Sequence, residues 1–141
     1  MKVKIKKLHK NAVIPKYAKS GDAGMDLTAV DIIENTTFQV TYDLGISVEI
    51  PEGFVGLVFP RSSIRNKELI LSNSVGVIDS GYRGNIQATF IKTNGLDSNK
   101  YYVNERVAQL LIIPYPQIEF EEVEELSETE RGAGNYGSSG N

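Results

Sequence analysis

The chain contains no cysteine, so disulfide bonds and thiolate metal sites are excluded. Its one histidine, His9, lies in a lysine-rich stretch, so neither a His-paired serine nucleophile nor a His-rich metal site can be assembled. A phosphate loop of the form G-x-x-x-x-G-K-S/T is missing too, which sets aside the P-loop hydrolases. No apolar run approaches a membrane span. The opening MKVKIKKLHK alternates apolar and basic residues and lacks the continuous apolar stretch of a signal peptide. The expectation is a cytoplasmic protein with no membrane partner. There is no basic excess either: 15 basic and 18 acidic residues leave a net charge of −3, which argues against a duplex-binding surface and a nucleic-acid partner.

What is present fits one domain of 141 residues with a modest apolar fraction of 40%. Association between subunits would supply further burial. The dominant signal is short strands separated by turns. Strands are expected at Val3–Ile5, 37–42, 44–50, 54–59, 69–71, 75–78, 86–91, 101–103 and 107–113, with a last one through Ile118, Phe120 and Val123. Phe54 to Phe59 is nearly all apolar and reads as buried on both faces. Helical periodicity is missing apart from a possible turn or two over Ser62–Lys67. This pattern predicts an all-β domain over 1–126, a jelly roll, sandwich or barrel. From Ser127 onward the chain is poor in apolar residues and rich in Gly and Ser, so 127–141 reads as a flexible tail.

Five segments place polar residues where apolar strands are interrupted. In Ala23-Gly24-Met25-Asp26-Leu27, an aspartate between apolar neighbours must be solvated, hydrogen-bonded or near a cation; an ordinary turn aspartate is the plain alternative. Pro60-Arg61-Ser62-Ser63 leaves the most apolar strand into a possible helical turn, either a surface cap or a phosphate seat. The stretch Asn73 to Gly84 carries Asp79 at the end of a buried strand, where a carboxylate can act as general base, and Tyr82, a flat ring suited to a sugar; the same residues could simply make a hairpin turn. Gln109 interrupts the strand after Arg106, and its amide needs partners. The tail, Arg131 to Gly140, adds a cation and the aromatic Tyr136 to glycines whose N–H groups can approach phosphate.

Taken in order, AGMDL, PRSS, GVIDSGYRG, RVAQL and RGAGNYGSSG closely resemble the five motifs of the trimeric dUTP pyrophosphatases (dUTPases), over Ala23 to Gly140. The resemblance implies a jelly-roll subunit, a homotrimer with active sites shared between subunits, dUTP as substrate and Mg²⁺ as cofactor. It further implies that Asp79 activates the water attacking the α-phosphorus and that Tyr82 lies beneath the deoxyribose. Asn73, with the hairpin backbone through Val77 and Ile78, would read the uracil edge. Arg61, Ser62 and Ser63 would hold the phosphate chain, with Gln109 near the α-phosphate and Asp26 acting through water on the metal. From the tail, Arg131, Ser138 and Ser139 would meet the β- and γ-phosphates while Tyr136 covers the uracil. Two positions depart from the family's pattern. Asn135-Tyr136 stands where Gly-Phe is usual, and Ser63 where many members have glycine. The nearest alternative, a dCTP deaminase, needs a glutamate base, but the strand after the turn offers Asn85 and Gln87.

Overall fold

The computed structural model describes residues 1–134. Strands β1 (Lys4–Lys7), β2 (Met25–Thr28), β3 (Asp31–Asn35), β4 (Gln39–Asp43), β5 (Ile46–Glu49), β6 (Phe54–Pro60), β7 (Leu69–Leu71), β8 (Gly76–Ile78), β9 (Gln87–Lys92) and β10 (Arg106–Pro114) make up the domain. Among the described residues there is no α-helix, only 3-10 turns at Ser62–Asn66 and Gly95–Asp97. One four-stranded sheet runs β2-β10-β6-β8 and another β3-β4-β9-β7, with β1 and β5 forming a short ribbon. Every pairing is antiparallel. The architecture is the expected all-β jelly roll.

The core lies between the sheets. Leu27, Val58, Val107 and Leu110 come from the first sheet and its approaches; Val40, Tyr42, Ala88 and Phe90 come from the second. In β9 the two-residue period is plain: Ala88, Phe90 and Lys92 turn inward, while Gln87 and Ile91 face out. Lys92 can end such a series because its ammonium donates to Asn35 Oδ1 at 2.6 Å and to the Thr36 carbonyl at 2.7 Å. Tyr42, Phe90 and Tyr101 form an edge-on ring cluster with centroids 5.8–6.3 Å apart. The Tyr42 hydroxyl donates to the Tyr101 carbonyl at 2.8 Å, and burial pushes its pKa up, so it stays a neutral donor.

Four expectations need correction. Strands β2 and β3 escaped the sequence pattern, because Asp26 and Glu34 break their apolar runs. Residues 101–103 form no strand; Tyr101 is buried by ring packing and the chain turns at Asn104, whose φ is 73°. Ile118, Phe120 and Val123 form no strand and lie exposed, because among the described residues no strand pairs with them. In β6 only Gly56 and Val58 are buried; Val55, Leu57 and Phe59 on the opposite face are half-buried, because no second sheet of the described residues packs over them. The anticipated Pro51-Glu52-Gly53 turn is present, with the Phe54 N–H on the Pro51 carbonyl at 3.2 Å and Gly53 at φ 79°.

Candidate active site

The sheet β2-β10-β6-β8 carries the first four segments, and β6 is its ruler. At its C-terminal end, Gln109 of β10 pairs with Asp26 of β2 on one side and Phe59 of β6 on the other. Arg61 follows β6 directly and enters the 3-10 turn that begins at Ser62. Asp26 is the hub of this end. Its Oδ1 accepts Arg61 Nε at 2.6 Å and its Oδ2 accepts Arg106 Nη1 at 2.9 Å. With Asp26 and Arg61 side chains each 22% exposed, these charge-assisted bonds are only partly screened. The interruption in β2 therefore has its physical reason: the carboxylate is both hydrogen-bonded and next to cations.

Gln109 Nε2 donates to the Pro60 carbonyl at 2.9 Å, which satisfies the polar group inside its apolar strand. Its amide oxygen lies flat on Gly24; a Cβ at residue 24 would occupy the place of Gln109 Oε1. Arg61 Nη1 also donates to Ser63 Oγ at 3.1 Å, and Ser63 Oγ meets the Tyr101 hydroxyl at 2.9 Å. Ser62 is exposed at the start of the turn. A polar cavity of about 490 Å³ opens here, lined among others by Arg61, Ser63, Lys67, Tyr101 and Arg106.

The other end of the ruler is different. Strand β8 runs back along β6 with Gly56 opposite Ile78 and Val58 opposite Gly76. Asp79 follows β8 and is exposed beside the N-terminal end of β6. It lines an apolar cleft of about 360 Å³ with Phe54, Val55, Leu57, Val77 and Tyr115. Asn73 sits exposed at the hairpin before β8, where Ser74 adopts φ 61°. A serine held there stores about 1–3 kcal/mol of backbone strain, a sign that the hairpin shape is over-determined. Val77 is 61% exposed and Ile78 half-buried. The Tyr82 hydroxyl donates to the Asn85 carbonyl at 3.0 Å. Its ring covers Gly84 so closely that any Cβ there would collide with it. Asn85 Nδ2 donates to Asp43 Oδ1 at 2.7 Å, while its buried Oδ1 has no hydrogen-bond partner among the described residues.

The fold thus brings Asp26, Arg61, Ser63 and Gln109 together at one end of β6 and carries Asp79 and Tyr82 to the opposite end; β8, with Val77 and Ile78, runs between them, and Asn73 before it lies on the Arg61 side. The six steps from Val55, level with Asp79, to Arg61 span roughly 20 Å of extended strand. Arg131 lies in the turn that closes the described residues. Tyr136, Ser138 and Ser139, with Asn135, lie outside the described residues. Sequence reasoning gave no role to Arg106, Tyr101, Gly24 or Gly84. Arg106 was legible as a cation at the first position of the strand that pairs with the Asp26 strand. Tyr101 had no local signal, because its partner lies 38 positions away. Among the described residues no group of three or more His, Cys, Asp or Glu gathers as a metal cage. No helix of the described residues is long and apolar enough to cross a membrane.

Comparison with known proteins agrees with this geometry. The family model described as dUTPase matches residues 10–140. A deoxyuridine 5′-triphosphate nucleotidohydrolase of Cutibacterium acnes is 41% identical over 131 residues, covering 90% of this chain and 85% of the relative. One of Nautilia profundicola is 41% identical over 142 residues, covering 99% of each. Among solved structures, the Staphylococcus bacteriophage 80alpha dUTPase with dUPNHPP superposes with a TM-score of 0.86 at 30% identity, covering 99% of this chain and 98% of that one. A match over nearly the whole length, with the motif residues on one sheet in the order the resemblance requires, means that the chain belongs to the dUTPase family.

Proposed function

We propose that this protein hydrolyses dUTP to dUMP and pyrophosphate as a homotrimer in the cytoplasm, keeping uracil out of DNA and supplying dUMP for thymidylate synthesis. Support comes from the family membership and from relatives named for this reaction. The observation that carries the reading is the division of the site. Asp79 and Tyr82 at one end of β6, and Arg61, Asp26 and Gln109 at the other, are too far apart to act on one nucleotide within one copy. Copies that bring opposite ends together make a complete site.

The exposed surface supports the same arrangement. Ile118 is 71%, Phe120 92% and Leu126 87% exposed along an arm that no element of the described residues covers, as an element docked on a neighbouring copy would be. The half-buried face of β6 and the Asp79 cleft would gain cover in the same way.

In the proposed reaction, Asp79 accepts a proton from the water whose oxygen attacks the α-phosphorus, the bond from that phosphorus to the bridging oxygen breaks, and pyrophosphate leaves. Tyr82 packs under the deoxyribose, held by its bond to the Asn85 carbonyl, and leaves no room for a 2′-hydroxyl. Asn73 and the backbone at Val77 and Ile78 pair with the uracil edge. Each unpaired donor or acceptor that cytosine would leave there costs about 1–3 kcal/mol. Arg61, Ser62 and the backbone at Ser63 hold the phosphate chain, with Gln109 at the α-phosphate. Arg131, Ser138 and Ser139 complete the phosphate grip, Tyr136 covers the base, and 127–141 acts as the closing segment on a domain of 1–126.

The donor set fits a divalent cation carried by the substrate. Asp26 spends one lone pair of each oxygen on a guanidinium, so it suits waters of the cation better than the cation itself. Bound with the triphosphate, Mg²⁺ would neutralise phosphate charge.

The test is pyrophosphate release from dUTP, dTTP, dCTP and UTP, with and without Mg²⁺. Release from dUTP alone is expected. Ammonia from dCTP would overturn the reading in favour of a deaminase. Truncation after Ser127 should leave a folded protein with little activity; full activity would make the tail irrelevant.

A further inference from the structure

Tyr101 combines a fixed position with a hydroxyl aimed at the site. It is 2% exposed. Its ring meets Tyr42 edge-on at 6.3 Å and Phe90 at 6.1 Å, and Lys67 Nζ stands 4.9 Å over its face. Its carbonyl accepts the buried Tyr42 hydroxyl. Ring and backbone are both clamped, so the phenolic oxygen is a fixed point on the wall of the polar cavity. From that point a chain of bonds runs outward: the Tyr101 hydroxyl to Ser63 Oγ at 2.9 Å, Arg61 Nη1 to Ser63 Oγ at 3.1 Å, and Arg61 Nε to Asp26 Oδ1 at 2.6 Å.

A guanidinium held only by Nε can swing about that bond. Held by Nε and Nη1 together, its plane is fixed, and among the described residues Nη2 is left for a ligand. Hydrogen-bonded neighbours of this kind keep a phosphate-binding group in productive geometry without touching the substrate. We propose that Tyr101 is a positioning residue that acts through Ser63 on Arg61, and that the Ser63 hydroxyl is a strut within the protein, not a phosphate ligand. The inference rests on the assignment of Arg61 to the triphosphate. It also gives a role to a serine where many family members carry glycine: the added hydroxyl is the middle link between the clamped phenol and the arginine.

Tyr101→Phe is the decisive variant, because it keeps the ring packing and removes only the hydroxyl. Its Tm should stay within about two degrees of the parent. Its kcat/KM for dUTP should fall about five- to tenfold. Ser63→Ala should do the same, and the double variant no worse than either single one. In an Arg61→Ala background, Tyr101→Phe should cause no further loss. An unchanged kcat/KM in Tyr101→Phe overturns the proposal, as does an equal loss with and without Arg61, which would place the effect elsewhere. Calorimetric binding of inorganic tripolyphosphate separates this from the functional reading. If the parent protein leaves dUTP intact, that reading fails, yet tripolyphosphate binding weakened about fivefold by Tyr101→Phe still upholds the strut. Unweakened binding overturns it.

Discussion

The two ends of strand β6 are built on opposite plans. At the Arg61 end, Asp26, Arg61, Arg106, Ser63 and Gln109 are joined by hydrogen bonds from three strands and a turn. At the Asp79 end, the carboxylate is exposed beside an apolar cleft, while Tyr82 and Arg83 bond to carbonyls of their own turn. A phosphate-binding end gains from being wired in advance, because guanidinium groups fixed in place lose little entropy when the anion arrives. A general base must instead keep its carboxylate open to the water it deprotonates. On the proposed reading, one chain holds a finished half of one site and a waiting half of another.

The sharpest way to break the comparison is at the waiting end. Asp79→Asn should lower turnover by about 10²–10⁴-fold while calorimetry still detects dUTP binding. Unchanged turnover would remove Asp79 from the base role. Next comes mixing. Asp79→Asn and Arg61→Ala proteins, each strongly impaired alone, should regain about one quarter of parental activity when unfolded and refolded together, since a site composed of one intact end from each copy then exists. No recovery would mean that both ends belong to one copy.

A smaller effect compares the two glycine supports. Gly24→Ala should push the Gln109 amide off its seat and reduce kcat/KM about tenfold without changing the preference for dUTP over UTP. Gly84→Ala should displace the Tyr82 ring and narrow that preference instead. Equal effects on sugar preference would erase the division of labour.

The smallest effect lies away from both ends. Lys4 donates to Glu49 Oε1 at 2.9 Å and holds this exposed carboxyl below its usual range, with Coulomb attraction to the same lysine as the second cause. A depressed carboxyl contributes stability above its unfolded pKa of about 4.3, and that contribution is lost as pH falls through the lower folded value. Glu49→Gln should therefore leave thermal stability at pH 7 nearly unchanged and flatten slightly the acid limb of a Tm-against-pH curve.

Much of this was legible in advance, for local reasons. Strands with a clear two-residue period, such as β9, and the turn at Pro51-Glu52-Gly53 are properties of neighbouring residues. The misses are non-local. Strand β2 looked broken at Asp26 because the arginines that stabilise it come from positions 61 and 106. The arm at Ile118 and Phe120 looked like a strand because its pattern is that of one, but among the described residues no strand pairs with it.

The sequence by itself determined the chemistry: no cysteine, one histidine, an aspartate and a tyrosine three residues apart, and arginines with a glutamine in strand ends. Covalent inventory and short spacing do not depend on folding. Only the tertiary structure decided which of these groups meet. Antiparallel pairing runs β8 back along β6 and carries Asp79 away from Arg61, while β10 sets Gln109 beside Asp26. Ring packing 38 positions from Ser63 turns an unremarked Tyr101 into the anchor of an arginine. Pairing partners are chosen by burial and register across the whole chain, and no window of neighbouring residues contains that information.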